Sequence, residues 1–529
     1  MNDMLLKIAL WLAISTNECL GLPGEVFIPL HSALRVRFGD DVFQQLSRIV
    51  EYLFIKHTKR VAIPPQQQCF PEGCVTIQDF SLVAHKNPSH VAVMPTPPNF
   101  LTLKISGFNF HIAGKLYGQL QPLPLLPMIV PTYGTLAISA NQLVIGATFD
   151  MQKTVDNVPY IRVINCLLIN EVITAQVENM GLLTAIVNAK YQHEIRTKSR
   201  VMLEETLCST INGVVDSEMN SELLQIPSQI SIAHLYRIIF ESNSSEIWWR
   251  KLGSLLISLN ILDTSSTYRR FFIGLDGDVY RKEYDQTNNP YQRPERLRFT
   301  EVMNGNAVDL LVSEYTINTL LLKAHIIGAL VFSVSSGTPV LGKLIRTSCG
   351  IDEVCLSDII PEAAEAYPNR QLEIILRTTK PPKAVISTGL ATVMIKGRAA
   401  FFVERSTKEI GVIPFSTTIQ CEITSLAHRI SAQMSTLAQL AVSSMKFYLT
   451  HISGRLNSEA LLGDSQIMEA AKGALMKLVN EILREGISLN ESTVSRLSNT
   501  SLSLVDGAIL LQAKFDIERN FYQQVPVLV

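Results

Sequence analysis

A chain of 529 residues exceeds the length at which a single hydrophobic core stops growing, so two or more domains are expected. Hydrophobic residues make up 47% and charged residues 18%, which excludes disordered, collagen-like and supercharged chains. The 46 Lys and Arg balance 47 Asp and Glu, and a net charge of -1 excludes a protein devoted to nucleic acid, which needs a basic excess. Its partners are expected to be neutral or apolar.

Residues 1–21 have the shape of a signal peptide: Lys7, the apolar run Ile8 to Ile14, then small and polar residues before Gly21-Leu-Pro-Gly24. The first clear helix follows Gly39-Asp40, with Val42, Leu46, Ile49, Val50 and Leu53 on one stripe. Long alternating strands come next. Leu101, Leu103 and Ile105 share a face, Ser106-Gly107 breaks the phase, and Phe108, Phe110 and Ile112 take over, which implies a bulge or sharp coil. Gln121 to Pro131 is rich in Pro and Leu and reads as an apolar loop or edge strand rather than a polyproline ligand. Leu136 to Ala140 and Leu143 to Phe149 alternate again across Asn141-Gln142, so the expected unit is a bent antiparallel sheet.

A long helix is expected from Leu182 to Leu224, where Leu203, Leu207, Ile211, Val215, Met219 and Leu223 recur every four residues, and Pro227 ends it. Turn signals crowd between Leu275 and Asn306, and the linker is placed at 275–306. A helix from Ser313 to Leu330 follows. Ile317 to Val334 is apolar enough to raise a membrane span, but Lys323 and His325 at mid-depth are costly there, so it reads as buried helix, then strand. Strands are expected around Leu372 to Leu376, at Val393 and Ile395, and on to Ile423. A helix follows from Asp464 or Ser465 to Gly486, with the stripe Ile467, Ala471, Leu475, Leu478 and Ile482, and then a last strand from Leu502 to Ile517. Helix, sheet, long helix and strand thus occur twice, at a spacing longer than solenoid repeats, which suggests two similar domains over 22–274 and 307–529.

No motif carries catalysis. Gly337 to Leu344 nearly fits a phosphate-binding loop, but Leu344 stands where a hydroxyl would hold a metal, so it reads as a turn entering a strand. His193-Glu194 begins like a zinc-protease helix, yet the residue four after His193 is Thr197, so a solvated helix face is expected. No nucleophile, base, cofactor site or metal site can be named, and the chain reads as a non-enzyme. Once Cys19 leaves with the leader, Cys69, Cys74, Cys166, Cys208, Cys349, Cys355 and Cys421 remain. Cys69/Cys74 and Cys349/Cys355 are close enough to close small loops, unless Cys421 bridges to one of them. Disulfides and sequons at Asn243, Asn490 and Asn499 fit a secreted glycoprotein, with no anchor expected at Val529. The surplus of apolar faces suggests either an elongated apolar cavity or a fully packed core.

Four stretches carry a resemblance: Pro98 to Lys115; Cys166 with Leu203 to Val215; Val312 to Thr319; and Ile360 to Asn369, with its Pro-Glu and Pro-Asn pairs. In this order they resemble the family of bactericidal/permeability-increasing protein, lipopolysaccharide-binding protein and the phospholipid and cholesteryl ester transfer proteins. The resemblance runs from about residue 30 to 517. It implies an α+β fold: two pseudo-symmetric barrel-plus-long-helix domains, joined by a central sheet into a boomerang. It also implies a buried Cys166–Cys208 disulfide and apolar pockets for phospholipid or another acyl lipid. The first pocket would be lined by Val42, Leu46, Ile49 and Leu53 with Leu203, Leu207, Ile211 and Val215. The second would use Ile317, Leu320, Leu321 and Ala324 with Ile467, Ala471, Leu475, Leu478 and Ile482. Transient contact with a membrane or lipoprotein surface is implied as well. The alternative is an innate-immune protein binding lipopolysaccharide, but the hairpin after Gly114-Lys115, cationic in the endotoxin-killing relative, here carries no Lys or Arg before Lys153.

Overall fold

The computed structural model describes residues 31–58, 63–70, 73–120, 130–155, 157–181, 183–239, 251–282, 289–299, 308–338, 341–350, 353, 355–356, 365–425, 437–449, 453–454, 487–488, 497–515 and 517. The chain divides into the unit Met1–His31, of which only His31 is described, and the unit Ser32–Val529, to which everything below belongs. The expected signal peptide therefore lies outside the described residues. The fold is mixed and rich in sheet, with few helices.

Its first part runs β1 (Leu34–Phe38), α1 (Asp40–Thr58), β2 (Gln66–Phe70), β3 (Gly73–Lys86), β4 (His90–Thr96), β5 (Phe100–Leu120), β6 (Val130–Lys153), β7 (Pro159–Glu178) and α2 (Leu183–Val214). Asp40 and Asp41 at the start of α1, with Lys56 and His57 at its end, complement the helix dipole. Val42, Ile49 and Leu53 are buried on its inner face and Leu46 is half-buried. β2, β3, β5, β6 and β7 follow in that order in one antiparallel sheet, with β4 also on β5. The expected break in β5 is a register shift between Ser106 and Phe108, where Gly107 has φ +74 and a Cβ would overlap Ser89. A second irregularity, at Asn141 to Val144 in β6, holds Gln142 at φ 52. These bends wrap the sheet over α2, and Leu203, Leu207, Ile211 and Val215 join Ile105, Phe108, Ile138 and Leu143 in one core.

After α2 come a π-type turn (Val215–Met219), α3 (Asn220–Leu223), β8 (Gln229–Ser231), α4 (Ile232–Ile239), β9 (Leu255–Ser258), β10 (Ile261–Ser266), β11 (Phe271–Leu275) and β12 (Val279–Arg281). β8, β9 and β12 form a small antiparallel sheet, so part of the expected linker is strand. Residues 289–299 of that linker are held at both ends: Arg293 pairs with Asp276 near the linker's start, and Arg35 of β1 donates to the Leu297 carbonyl. A six-stranded antiparallel sheet then joins strands from the start, middle and end of the chain, in the order β10, β11, β1, β13 (Val308–Ser313), β23 (Ala508–Phe515) and β22 (Leu497–Val505).

The later part opens with α5 (Glu314–Ile326), where the Ser313 hydroxyl accepts from the Thr316 amide and Gly328 at φ +68 follows the last turn. β14 (Val331–Val334), α6 (Leu341–Leu344), β15 (Leu372–Thr378), β16 (Lys383–Ser387), β17 (Leu390–Val403), β18 (Glu409–Ser425), β19 (Leu437–Leu449), β20 (Ser453–Gly454) and β21 (Ile487–Ser488) follow. These eight strands form one sheet around Leu372, Phe401 and Ile410. Two expectations are corrected here. Gly337 to Leu344 leads into the single-turn helix α6, because the Thr338 and Gly342 amides bond to the nearby Ser335 and Thr338 carbonyls and are not offered to a strand. Leu502 to Ile517 is a hairpin of β22 and β23 rather than one strand, because Asp506-Gly507, with Gly507 at φ +72, reverses the chain. The expected helix from Asp464 to Gly486 lies outside the described residues.

Candidate functional site

α2 is fastened to the sheet at three heights. At its start the Asn188 side chain accepts from the Val177 amide and donates to the Val177 carbonyl, both at 2.8 Å. In the middle the Glu204 carboxylate accepts from the Leu168 amide at 3.2 Å. Beyond it Cys166 and Cys208 are bonded, with their α carbons 5.8 Å apart. This disulfide is half-buried rather than buried, because the helix meets the sheet along its edge strand β7. Cys69–Cys74 and Cys349–Cys355 are bonded too, which overturns a bridge from Cys421 to either pair.

Below the disulfide Ile211 and Val215 of the helix and the following turn are buried in the core against the sheet. Above it a cavity of about 370 Å³ opens between the first half of α2 and the ends of β2, β3, β5, β6 and β7. Its volume is in the range of small-molecule sites. Val75, Ile77, Leu116, Leu136 and Val177 form the sheet wall, and Leu183, Val187, Ile195 and Met202 the helix wall. At this end of the sheet Gly118 and Gly134 leave room for their neighbours: a Cβ on Gly118 would stand 2.7 Å from the Cys74 carbonyl oxygen of β3, and one on Gly134 2.5 Å from the Met180 side chain. The Cys69–Cys74 bond closes the hairpin that carries Gln66, Gln67 and Gln68 to the rim, and the Phe70 ring meets the Tyr191 ring of α2 at 4.5 Å. Lys190, Glu194, Lys198 and Glu205 supply the charged rim, with the Lys190 ammonium 5.1 Å from the Tyr191 ring centre. Apolar walls under a charged rim suit an amphiphile. A second cavity of about 30 Å³, enough for about one water, lies deeper against Phe110, Ile112, Leu203 and Leu207.

The residues read from sequence are distributed unevenly over this site. Leu203 and Leu207 line the small cavity and, with Ile211 and Val215, belong to the core below the large one. Val42, Leu46, Ile49 and Leu53 line neither, since α1 packs on β4, where the Ser47 hydroxyl accepts from the Val93 amide at 2.8 Å. In α5, Ala324 is buried and Ile317, Leu320 and Leu321 are half-buried. Ile467, Ala471, Leu475, Leu478 and Ile482 lie outside the described residues, as do Asn243 and Asn490; Asn499 lies in β22. Sequence reading missed Leu183, Val187, Tyr191 and Ile195. The signal was present, because the four-residue step counted back from Leu203 reaches each of them through Ser199.

Among the described residues no group of three or more His, Cys, Asp or Glu could hold a metal, and no helix is long and apolar enough to cross a membrane. His193 and Glu194 are exposed on α2. No curated protein matches this sequence. Among solved structures, that of lipopolysaccharide binding protein is similar at 14% identity and TM-score 0.45, covering 92% of this chain and 100% of that one. P47 of Clostridium botulinum E1 aligns at 10% identity and TM-score 0.27, covering 92% and 99%. Residues 284–517 match the family model described as LBP / BPI / CETP family, C-terminal domain. The match identifies residues 284–517, in the later part of the chain, as a C-terminal domain of the LBP / BPI / CETP family.

Proposed function

We propose that the protein is a secreted, non-enzymatic lipid carrier that sequesters or transfers phospholipid or another acyl lipid by drawing its chains into apolar pockets. The observation that supports this reading is the cavity under α2, apolar in its walls and charged only at its rim. Each methylene moved from water into such a wall contributes about 0.8 kcal/mol, so long acyl chains outweigh the cost of binding. In this reading the two domains, 22–274 and 307–529, are barrel-plus-helix units forming a boomerang, and the second pocket forms between α5 and the stripe Ile467 to Ile482. Residues 1–21 direct secretion, and Asn243, Asn490 and Asn499 carry glycans.

The test is solvent extraction and native mass spectrometry of the full chain recovered from a secreting cell. Phospholipid or fatty acyl lipid is expected with the wild type. Val187→Trp, which places an indole in the helix wall, is expected to lower recovered lipid at least several-fold with all three disulfides intact. Lipid-free protein in repeated preparations would overturn the reading. Hydroxylated acyl chains in the extract would select bacterial glycolipid over phospholipid.

A further inference from the structure

The mouth of the cavity is more than an opening. Ile186 and Val201, 59% and 47% exposed, stand on its rim, where water-facing apolar side chains gain nothing from the fold itself. The stretch of α2 between them carries Lys190, Arg196, Lys198 and Arg200, all exposed, against the single carboxylate Glu194; His193 is exposed with them. Four cations to one carboxylate is a local excess in a chain whose total charge is -1. At about 100° per residue, Arg196, Arg200, His193, Ile186, Thr197, Lys190 and Val201 fall within about 140° on one side of the helix, with Glu194 at the edge of that face and Lys198 further round, on the cavity side. Glu204 and Glu205 end the cationic stretch, and Glu204 is turned to the Leu168 amide. The long β5–β6 hairpin offers no substitute, since Lys115 and Lys153 have no Lys or Arg between them.

We propose that this exposed face of α2 docks on an anionic lipid surface, with Lys190, Arg196 and Arg200 meeting headgroup phosphates and Ile186 and Val201 entering the interface, so that the cavity mouth opens toward the lipid it loads. Helices that mix cations with a few large apolar residues bind such interfaces, and charge complementarity selects anionic lipid over a neutral partner. The loading role rests on reading the cavity as a lipid site; the docking is measured separately.

The experiment is co-sedimentation of the full chain with phosphatidylcholine vesicles, with and without phosphatidylglycerol, at low and high salt. Binding is expected only when phosphatidylglycerol is present and is expected to fall steeply with salt. Arg196→Gln/Arg200→Gln, neither residue lining the cavity, is expected to weaken it roughly tenfold or more, with lipid recovered on extraction unchanged. Lys86→Gln/Lys104→Gln is the charge-matched control. Lys104 lies on β5 twelve residues from Leu116 of the cavity wall, about 40 Å along an extended strand, and the control is expected to bind as wild type. A wild type that ignores anionic vesicles or binds neutral ones equally, or an arginine variant that binds as wild type, overturns the docking. Lipid still recovered in those cases leaves the carrier reading standing, whereas docking without recovered lipid overturns the carrier reading alone. Mapping of the three disulfides shows that a weakened variant is still folded.

Discussion

Asp278 shows how a residue read as part of a turn acquires a physical role from its neighbours. Its carboxylate accepts from the Tyr315 hydroxyl at 3.2 Å and lies 3.8 Å from Arg293, whose guanidinium is 4.8 Å from the Tyr315 ring centre. Asn289 donates to the same tyrosine oxygen at 3.0 Å. Burial pushes the Asp278 carboxyl above the ordinary aspartate value, Arg293 opposes the shift, and nearby Asp276 adds to it. The folded state therefore holds a proton over a window in which the unfolded chain has released it. The stability this group contributes is present below 3.8 and lost as pH rises through the raised folded value. Urea unfolding of Asp278→Asn against wild type is expected to show a difference that grows in the variant's favour across that window and is level on either side. In sequence Asp278 falls among the turn signals between Leu275 and Asn306. Sequence reading could not see Tyr315 or Arg293, because the network is closed by α5 and by residues 289–293.

At the scale of the element, α2 is the part of the molecule most legible in sequence and most easily misread. Apolar residues repeat every four positions from Leu183 to Val215 apart from Ser199, and on a helix of 3.6 residues per turn each step advances about 40°. The stripe therefore spirals, and a twisted sheet is a surface that can follow it. Its first half faces the cavity and its second half the core. The disulfide pins the second half: Cys166 and Cys208 are separated by 42 residues, for which the chain-entropy relation predicts about 4 kcal/mol, against about 2 kcal/mol for the separation of 5 between Cys69 and Cys74. Cys166→Ser/Cys208→Ser is expected to lower the unfolding free energy in urea by about that larger amount, and Cys69→Ser/Cys74→Ser by less. Equal losses would mean that strain or residual unfolded structure outweighs loop length. Spacing favours the short-loop pairings, and the bonds seen exclude Cys421 from them. The longer one came from resemblance, and the structure confirms it while placing it half in solvent at the sheet edge.

At the scale of the whole molecule, the six-stranded sheet holds the distant parts of the chain together. At its centre Arg37 of β1 pairs with Asp309 of β13 at 2.5 Å, both side chains fully buried. Gln512 of β23 donates to the same carboxylate at 3.0 Å, and the Phe299 ring centre lies 4.5 Å from the guanidinium. Removing one partner of a buried pair strands the other charge, so Asp309→Ala is expected to cost about 3 to 5 kcal/mol. Arg37→Met/Asp309→Leu, which removes both charges, is expected to recover most of that loss, as read from urea midpoints. A double variant no better than Asp309→Ala would show that the pair itself, and not the relief of an unpaired charge, holds the strands together.

The sequence by itself determined α1 and α2, the phase break at Gly107 and the family resemblance, and offered the short disulfides with Cys421 as a rival partner, because these depend on periodicity, spacing and residue type within a few turns of chain. Only the tertiary structure decided that Val187 and Tyr191 bound a cavity while Ile211, further along the same stripe, packs solid. It also decided that α1 lies on β4, and that β1, β13 and β23 share one sheet. Periodicity reports which side of an element is apolar; what stands across from that side is set by strand pairing between residues hundreds of positions apart, and by the bends that let a sheet close on a helix in one place and stand away from it in another.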